Sequence, residues 1–446
     1  MFKLVWNACR MMLVASRIRA LSSWGIPAVY AAAAVTLGMT LPRLETHYFP
    51  HLVSSISASA ATSIYASIAS GMIALTGIVF SLAFVMIQFS ATAYSPRIVW
   101  WMARDPVMSH GLGTFIATFL YAIAALAGVD RNSSGRVPFL SWWLVIVLLV
   151  ASVGMFVALV QRIQRLQVNQ MLIFVGNHGR EVVEATYPPL GTEIDDEGAV
   201  DGSATPTQVV VYRGNPCYLQ VIHVDALVKL ASASGGVIEM IASVGDTVVE
   251  FTRVLQVYGA EGNIDERKLL DAVELGDERT FDQDPKYAIR ILVDIAIRAL
   301  SAAINDPTTA VQSLDQIQDL LLRLGMRQLE IGTYNDYAGK TRLLIPFLRW
   351  DDLLCLAFDE ICDYGARSIQ VMRRMNALLA DLKLALPDER QAGLIAWQAR
   401  VKATILSSYP NDDQRAEALK EDRQGLGGPR RTRRLFPVDS KPGNLR

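Results

Sequence analysis

The sequence predicts an α-helical membrane protein with four transmembrane helices, followed by an α+β cytoplasmic region in which a small β module precedes helices. Three observations predict it. Four segments, 22–41, 64–94, 107–129 and 139–161, contain no Asp, Glu, Lys or Arg. Each has the ~20 residues needed to cross a ~30 Å hydrocarbon core as a helix. The apolar excess stops near residue 165, although the chain runs to 446. The whole is 52% hydrophobic yet still 19% charged, so a soluble-type region follows the spans; soluble domains carry roughly 25% charged residues. A disordered chain, a collagen-like chain, an ordinary cytosolic enzyme and a protein of spans alone are excluded. With 42 basic and 43 acidic residues, overall charge points to no nucleic-acid partner. The partner implied at once is the lipid bilayer.

Residues 1–21 read as an amphipathic basic helix. Lys3, Arg10 and Arg17 recur every seven residues. Leu4, Trp6, Met11, Leu13, Val14 and Ile18 supply apolar surface for an inner-leaflet interface. Residues 22–162 form the four-span domain, whose first span holds Pro27 and the alanines 31–34. Lys and Arg number nine on the N-terminal side of the spans, counted up to Arg180, and three on the other. This asymmetry predicts cytoplasmic N- and C-termini in a multi-pass inner (cell) membrane protein.

The second span, 31 residues long, would measure about 46 Å as a helix. Ser63, Ser67, Ser70, Ala74, Gly77, Ser81, Gln88 and Ser95 step along it by three, four or seven residues, with only Phe84 and Ala91 between. Ile64, Ile68, Ile73, Phe80 and Leu82 are assigned to the opposite face. Two readings fit the stripe. It lines a water-filled path, for which the Gln88 carboxamide needs a partner or water, or it allows close helix packing. The third span has a small-residue face of Gly111, Gly113, Thr114 and Thr118. The fourth reads as lipid-facing, with Trp142 and Trp143 at the interface. No predicted span carries a charge, which argues against a proton relay or an ion-coupled pump.

Residues 163–205 read as a helical extension over 161–187, ended by Pro188-Pro189, and an exposed acidic loop with Glu193, Asp195, Asp196, Glu197 and Asp201. Residues 206–260 read as the β module: strands at 208–212, 217–223, 237–242 and 247–257, and a short helix at 224–232. The run Val244-Gly245-Asp246-Thr247-Val248-Val249-Glu250 resembles a half-motif of the biotinyl/lipoyl barrel-sandwich domain. The stretch 236–240 has no Lys to modify, so no carrier cofactor is implied.

Residues 261–420 read as a helical domain. Helix is predicted through 265–325, broken at Asn305-Asp306-Pro307, with Asp306 as N-cap, Pro307 at N1 and Gly325 closing. Arg290, Asp294 and Arg298 share a face at i, i+4, i+8 and are spaced for ion pairs; Ile291, Leu292, Ile295 and Ala299 form the buried side. Arg279, Gln283, Asp294, Arg298, Asn305 and Asp306 make a candidate polar cluster, read either as capping and surface pairing or as a binding site or subunit contact. A strand at 341–347, a helix from Trp350 to about 382 and another at 387–407 follow. Residues 421–446 read as a disordered basic tail suited to anionic lipid.

Cys9, Cys217, Cys355 and Cys362 show no C-x-x-C spacing and read as reduced thiols. His47 and His51 are four apart near Glu45, but Pro50 opposes a regular helix there, so no metal is assigned. There is no Ser-His-Asp set, phosphate loop or cofactor motif; no cofactor is expected and catalysis is the third reading.

The segment 71–82 (GMIALTGIVFSL), with Gln88-Phe89-Ser90 and Tyr94-Ser95-Pro96-Arg97, resembles a family of bacterial predicted membrane proteins, domain of unknown function 2254. So do 276–280 with Gln283-Asp284, Leu292-Val293-Asp294-Ile295-Ala296, Arg298-Ala299-Leu300-Ser301 and Ile304-Asn305-Asp306-Pro307-Thr308-Thr309-Ala310. Ala302-Ala303 departs from the pattern, where a Pro is expected in many relatives. The resemblance covers about residues 10–400 and implies a bacterial inner-membrane location. Two functions are expected from the residues. One is a homo-oligomeric channel or passive permeation pathway for an unspecified ion or small solute, lined by the second span. The other is a membrane-anchored sensor or scaffold whose cytoplasmic half binds a ligand or protein.

Overall fold

The computed structural model describes residues 25–49, 51, 56–93, 106–131, 137–164, 168–191 and 205–426. It divides into two compact units, Met1–Gln170 and Met171–Arg446. The amphipathic segment 1–21, Ser95, the acidic loop from Glu193 to Asp201 and the tail from 427 lie outside the described residues.

The first unit contains α1 (Gly25–Tyr48), α2 (Ala58–Ala93), α3 (Pro106–Arg131) and α4 (Phe139–Gln164). All four are long and apolar enough to cross a membrane. Helix α3 packs against each of the others. Its buried Tyr121, Ala122 and Ala125 meet Tyr65 of α2 and Val145 of α4, and its Phe115 meets Val79 of α2 and Leu159 of α4. Small residues let the backbones approach. A side chain on Gly38 would strike Ala124, and one on Gly113 would stand 2.9 Å from the Tyr30 ring. The Thr118 hydroxyl lies 2.8 Å from that of Ser152 and joins α3 to α4. The predicted small-residue face of the third span is therefore an interior packing face, with Gly111, Gly113, Thr114 and Thr118 all buried.

Two expectations are corrected here. Helix α1 continues through Pro42 to Tyr48, because a proline late in a membrane helix costs little when neighbours restrain the chain. Two charged side chains, Arg43 and Glu45, thus join the first span. The Trp pair is also split. Trp143 is exposed, whereas Trp142 turns inward against Tyr65, with ring centroids 5.8 Å apart. The outward row of α4 is instead Trp143, Val147, Val150, Val153 and Val157.

The second unit opens with α5 (Val168–Thr186). Residues 165–167, between α4 and α5, lie outside the described residues. Strands β1 (Gln208–Val211), β5 (Arg253–Tyr258), β3 (Val237–Met240), β8 (Thr341–Leu344) and β7 (Thr333–Asn335) form one sheet in that order. It is antiparallel except for β3 and β8, where Ile238 pairs with Leu343. Strands β4 (Thr247–Val248), β2 (Cys217–Ile222) and β6 (Val273–Gly276) form a second, antiparallel sheet. Helix α6 (Val224–Ser234), ended by Gly235 in the left-handed region, buries Leu227 and Ala231 against Leu219, Ile238, Leu255 and Leu343.

The strand expected at 247–257 is interrupted. Its halves belong to different sheets, and Phe251 turns the chain at φ 69°. The helical reading of 265–325 is corrected between α7 (Glu266–Leu270) and α8 (Pro285–Ala299), where β6 completes the smaller sheet. Helix α9 (Pro307–Gly325) starts and stops where its caps predict, with the Asp306 carboxylate accepting from Thr309 N. The helix expected from Trp350 to 382 is two: α10 (Trp350–Tyr364) and α11 (Ile369–Ala385), the second capped by Ser368. Helices α12 (Gln391–Ser408) and α13 (Asp412–Ala418) follow. Leu292, Ile295, Leu314, Ile317, Leu354, Phe358 and Leu378 are fully buried along α8 to α11.

Candidate functional site

Helix α2 has two contrasting faces. Ala61, Tyr65, Ile68, Ala69, Met72 and Val79 are buried. At about 100° per residue they centre on one side of the helix. Ser63, Ser67, Ser70, Ala74, Gly77, Ser81 and Gln88 centre about 180° away, and all seven are exposed. The stripe therefore points away from its own bundle. Ile68 lies opposite the stripe, as expected, on the buried side where α3 packs. Ile73 and Phe80 flank the stripe and are exposed. A side chain at Gly71 or Gly77 would meet nothing within 4 Å, unlike Gly38, Gly111 and Gly113. Packing within the chain does not explain why α2 keeps these glycines. The Ser63 and Ser67 hydroxyls donate to the carbonyls four residues back at 2.9 and 2.8 Å.

Of the six polar residues of the second unit, Asp294 and Arg298 lie on α8, Arg279 and Gln283 precede it, and Asn305 and Asp306 follow it. Before the helix, the Arg279 guanidinium lies 5.4 Å from the Tyr218 ring centroid. The Gln283 amide accepts from Ile222 N at 3.0 Å and donates to Ile222 O at 3.2 Å, extending the smaller sheet. Asp294 stands mid-helix, accepting from Arg290 Nε at 2.7 Å; Arg290 also reaches Glu360 of α10 at 2.6 and 2.8 Å. Arg298 lies in the last turn. Asn305, at φ 51°, and the capping Asp306 follow. Gln283 thus stands before the first turn of α8 and Arg298 in its last.

Sequence reasoning passed over Asp284. It is 3% exposed and caps α8 through Tyr287 N. Burial pushes its carboxyl above the usual range, with Lys286 and Arg279 pulling the other way. Burial and the nearby Asp284 both push the Tyr187 hydroxyl up. The visible signal was Asp-Pro at a helix start, the same pattern recognised at 306–307.

Sequence reasoning also passed over Glu45. Its carboxylate accepts from Leu140 N at 2.7 Å and Ser141 N at 3.2 Å, capping α4 from another helix. The available signal was the absence of a local capping side chain: Val137-Pro138 precedes α4 where Ser, Thr, Asp or Asn is usual. Among the described residues, no group of three or more His, Cys, Asp and Glu is arranged to hold a metal.

A family model described as "Predicted membrane protein (DUF2254)" matches residues 21–381. The chain belongs to the DUF2254 family. An uncharacterized protein of Mycobacterium bovis and one of Mycobacterium tuberculosis are each 27% identical to it over 383 residues, covering 84% of this chain and 72% of the relative. No solved structure matches. The matched DUF2254 region spans the four membrane helices and continues into α11, so it contains both the α2 stripe and the polar residues on and beside α8.

Proposed function

We propose that this membrane protein is a homo-oligomeric channel or passive permeation pathway for an ion or small solute. Copies of α2 line it through Ser63, Ser67, Ser70, Ala74, Gly77, Ser81, Gln88 and Ser95. The second unit assembles or gates it, with Arg279, Gln283, Asp294, Arg298, Asn305 and Asp306 available for subunit contacts or a gating ligand. The protein lies in the bacterial inner membrane with both termini cytoplasmic, as its basic residues favour.

One observation carries the reading. The exposed surface of α2 carries a stripe of small and polar side chains, broken by Phe84 and edged by Ile73, Ile78, Phe80 and Val85, whereas that of α4 is mainly a row of valines, with Ala151 and Gly154. Lipid is well served by the second face and poorly by the first. Small and hydroxylated faces in membranes meet other helices or water.

The test is thiol accessibility combined with flux. Single cysteines replace Ser70, Gly77 and Ser81, and, as lipid-face references, Val150 and Val153, in a chain without native cysteines. A water-soluble thiol reagent should label the stripe and spare the references. Gln88→Leu should lower ion flux in liposomes. A stripe as unreactive as α4, with no flux from the parent protein, overturns the channel and leaves the membrane-anchored sensor or scaffold.

A further inference from the structure

We propose that each protomer binds one small monovalent cation, of the sodium class, between the Glu45 carboxylate and the hydroxyls of Tyr65, Tyr121 and Ser141. The site lies inside one bundle and does not depend on the channel reading.

Each membrane helix supplies one oxygen-bearing side chain: Glu45 from α1, Tyr65 from α2, Tyr121 from α3 and Ser141 from α4. Their exposures are 2%, 0%, 0% and 2%. The Tyr65 hydroxyl has no hydrogen-bond partner among the described residues, and those of Tyr121 and Ser141 have at most each other. Tyr121 faces Ser141, and both tyrosines lie within electrostatic reach of Glu45. The two backbone N–H groups at the start of α4 occupy one lone pair on each carboxylate oxygen. The remaining lone pairs are available to a ligand.

Charge and hydrogen bonding together select the occupant. A helix N-terminus presents roughly half a positive charge, so it compensates only part of the buried carboxylate. Among the described residues no Lys, Arg or His is paired with Glu45, and its neighbours Arg43 and His47 are exposed. A proton would neutralise the charge and make the carboxyl a single O–H donor, able to partner one hydroxyl but not all three. Water would partner the hydroxyls but bring no charge. A monovalent cation does both, and an all-oxygen donor set suits a hard ion. One carboxylate balances one positive charge, which disfavours a divalent ion.

The experiment uses the full-length protein in detergent. Thermal unfolding is followed by tryptophan fluorescence in NaCl, KCl and choline chloride at constant ionic strength. Trp142, against the Tyr65 ring, reports locally. Sodium should raise the melting temperature saturably and shift the emission; choline should do neither. Glu45→Gln should abolish the response. Because that variant also alters the α4 cap, Tyr121→Phe and Ser141→Ala are the decisive pair. Each should weaken the apparent sodium affinity about tenfold, the loss of one contact of ~1.4 kcal/mol, while eluting like the parent. Equal responses to all three salts would assign the effect to ionic strength and overturn the site. Stabilisation by acid alone would assign a proton to Glu45 and overturn it equally. So would unchanged sodium affinity in both hydroxyl variants.

Discussion

The Asp284 carboxylate occupies the space that a side chain on Gly245 would fill. Gly245 stands at φ 87° in the turn before β4, and Asp284 caps α8. The contact joins the smaller sheet to the helical layer. Gly245→Ala adds left-handed strain and a collision with a buried carboxylate. It should destabilise the second unit by about 2 kcal/mol, read as a lower denaturation midpoint with the membrane helices retained by circular dichroism.

Asp284 also makes stability depend on pH. Its folded carboxyl sits above the usual range, chiefly through burial. The folded state therefore keeps its proton to a higher pH than the unfolded chain. The resulting stabilisation is complete below the unfolded value of about 3.9 and is lost as pH rises through the folded value. Asp284→Asn keeps a capping oxygen and removes the titration. Relative to the parent, its melting temperature should fall less as pH is raised from about 4 towards neutrality.

Gly38 and Gly77 distinguish interior packing from an uncovered face. Gly38→Val overpacks α1 against α3 and should cost about 1–3 kcal/mol. A Cβ at Gly77 meets nothing within 4 Å, so the Gly77→Val protomer should melt like the parent. If copies associate through the stripe, it should change crosslinking or elution in detergent. Normal assembly and flux in Gly77→Val would count against both a pore and a stripe-mediated interface.

Asp294 tests the second unit. Asp294→Asn leaves Arg290 bonded to Glu360 and should cost about 1–2 kcal/mol as one charge-assisted bond weakens. A loss of oligomers or flux beyond that small effect would place α8 at a subunit or ligand contact. Unchanged crosslinking and activity would reduce it to intrachain pairing.

Topology is tested directly. Alkaline phosphatase fused after Pro138 should be active, and fused after residue 200 inactive. The reverse pattern would remove the cytoplasmic assignment of the second unit.

Hydropathy located all four spans because length and the absence of charge are local properties. The 3.5-residue repeat found the α2 stripe, but periodicity could not say which side of the helix α3 would cover; only packing placed Ile68 inside. Asp306-Pro307 was legible because a cap acts over three residues. Glu45 was not, since the amides it caps lie 95 and 96 residues away. Strand β6 escaped for the same reason: four residues, Val273–Gly276, become a strand by pairing with β2. Of the six polar residues read as one group, only Asp294 and Arg298 share α8; the others flank it on both sides, so they are strung along the chain instead of gathered at a point.

The parallel pairing of β3 with β8 has a consequence for biogenesis. One edge of β3 gains its partner only when Thr341–Leu344 has left the ribosome, about 100 residues after β3 itself. At roughly 5–20 residues per second, that edge waits about 5–20 seconds. By then all four membrane helices have been synthesised. The nascent chain must therefore be guarded at an open strand edge after the membrane helices have been synthesised.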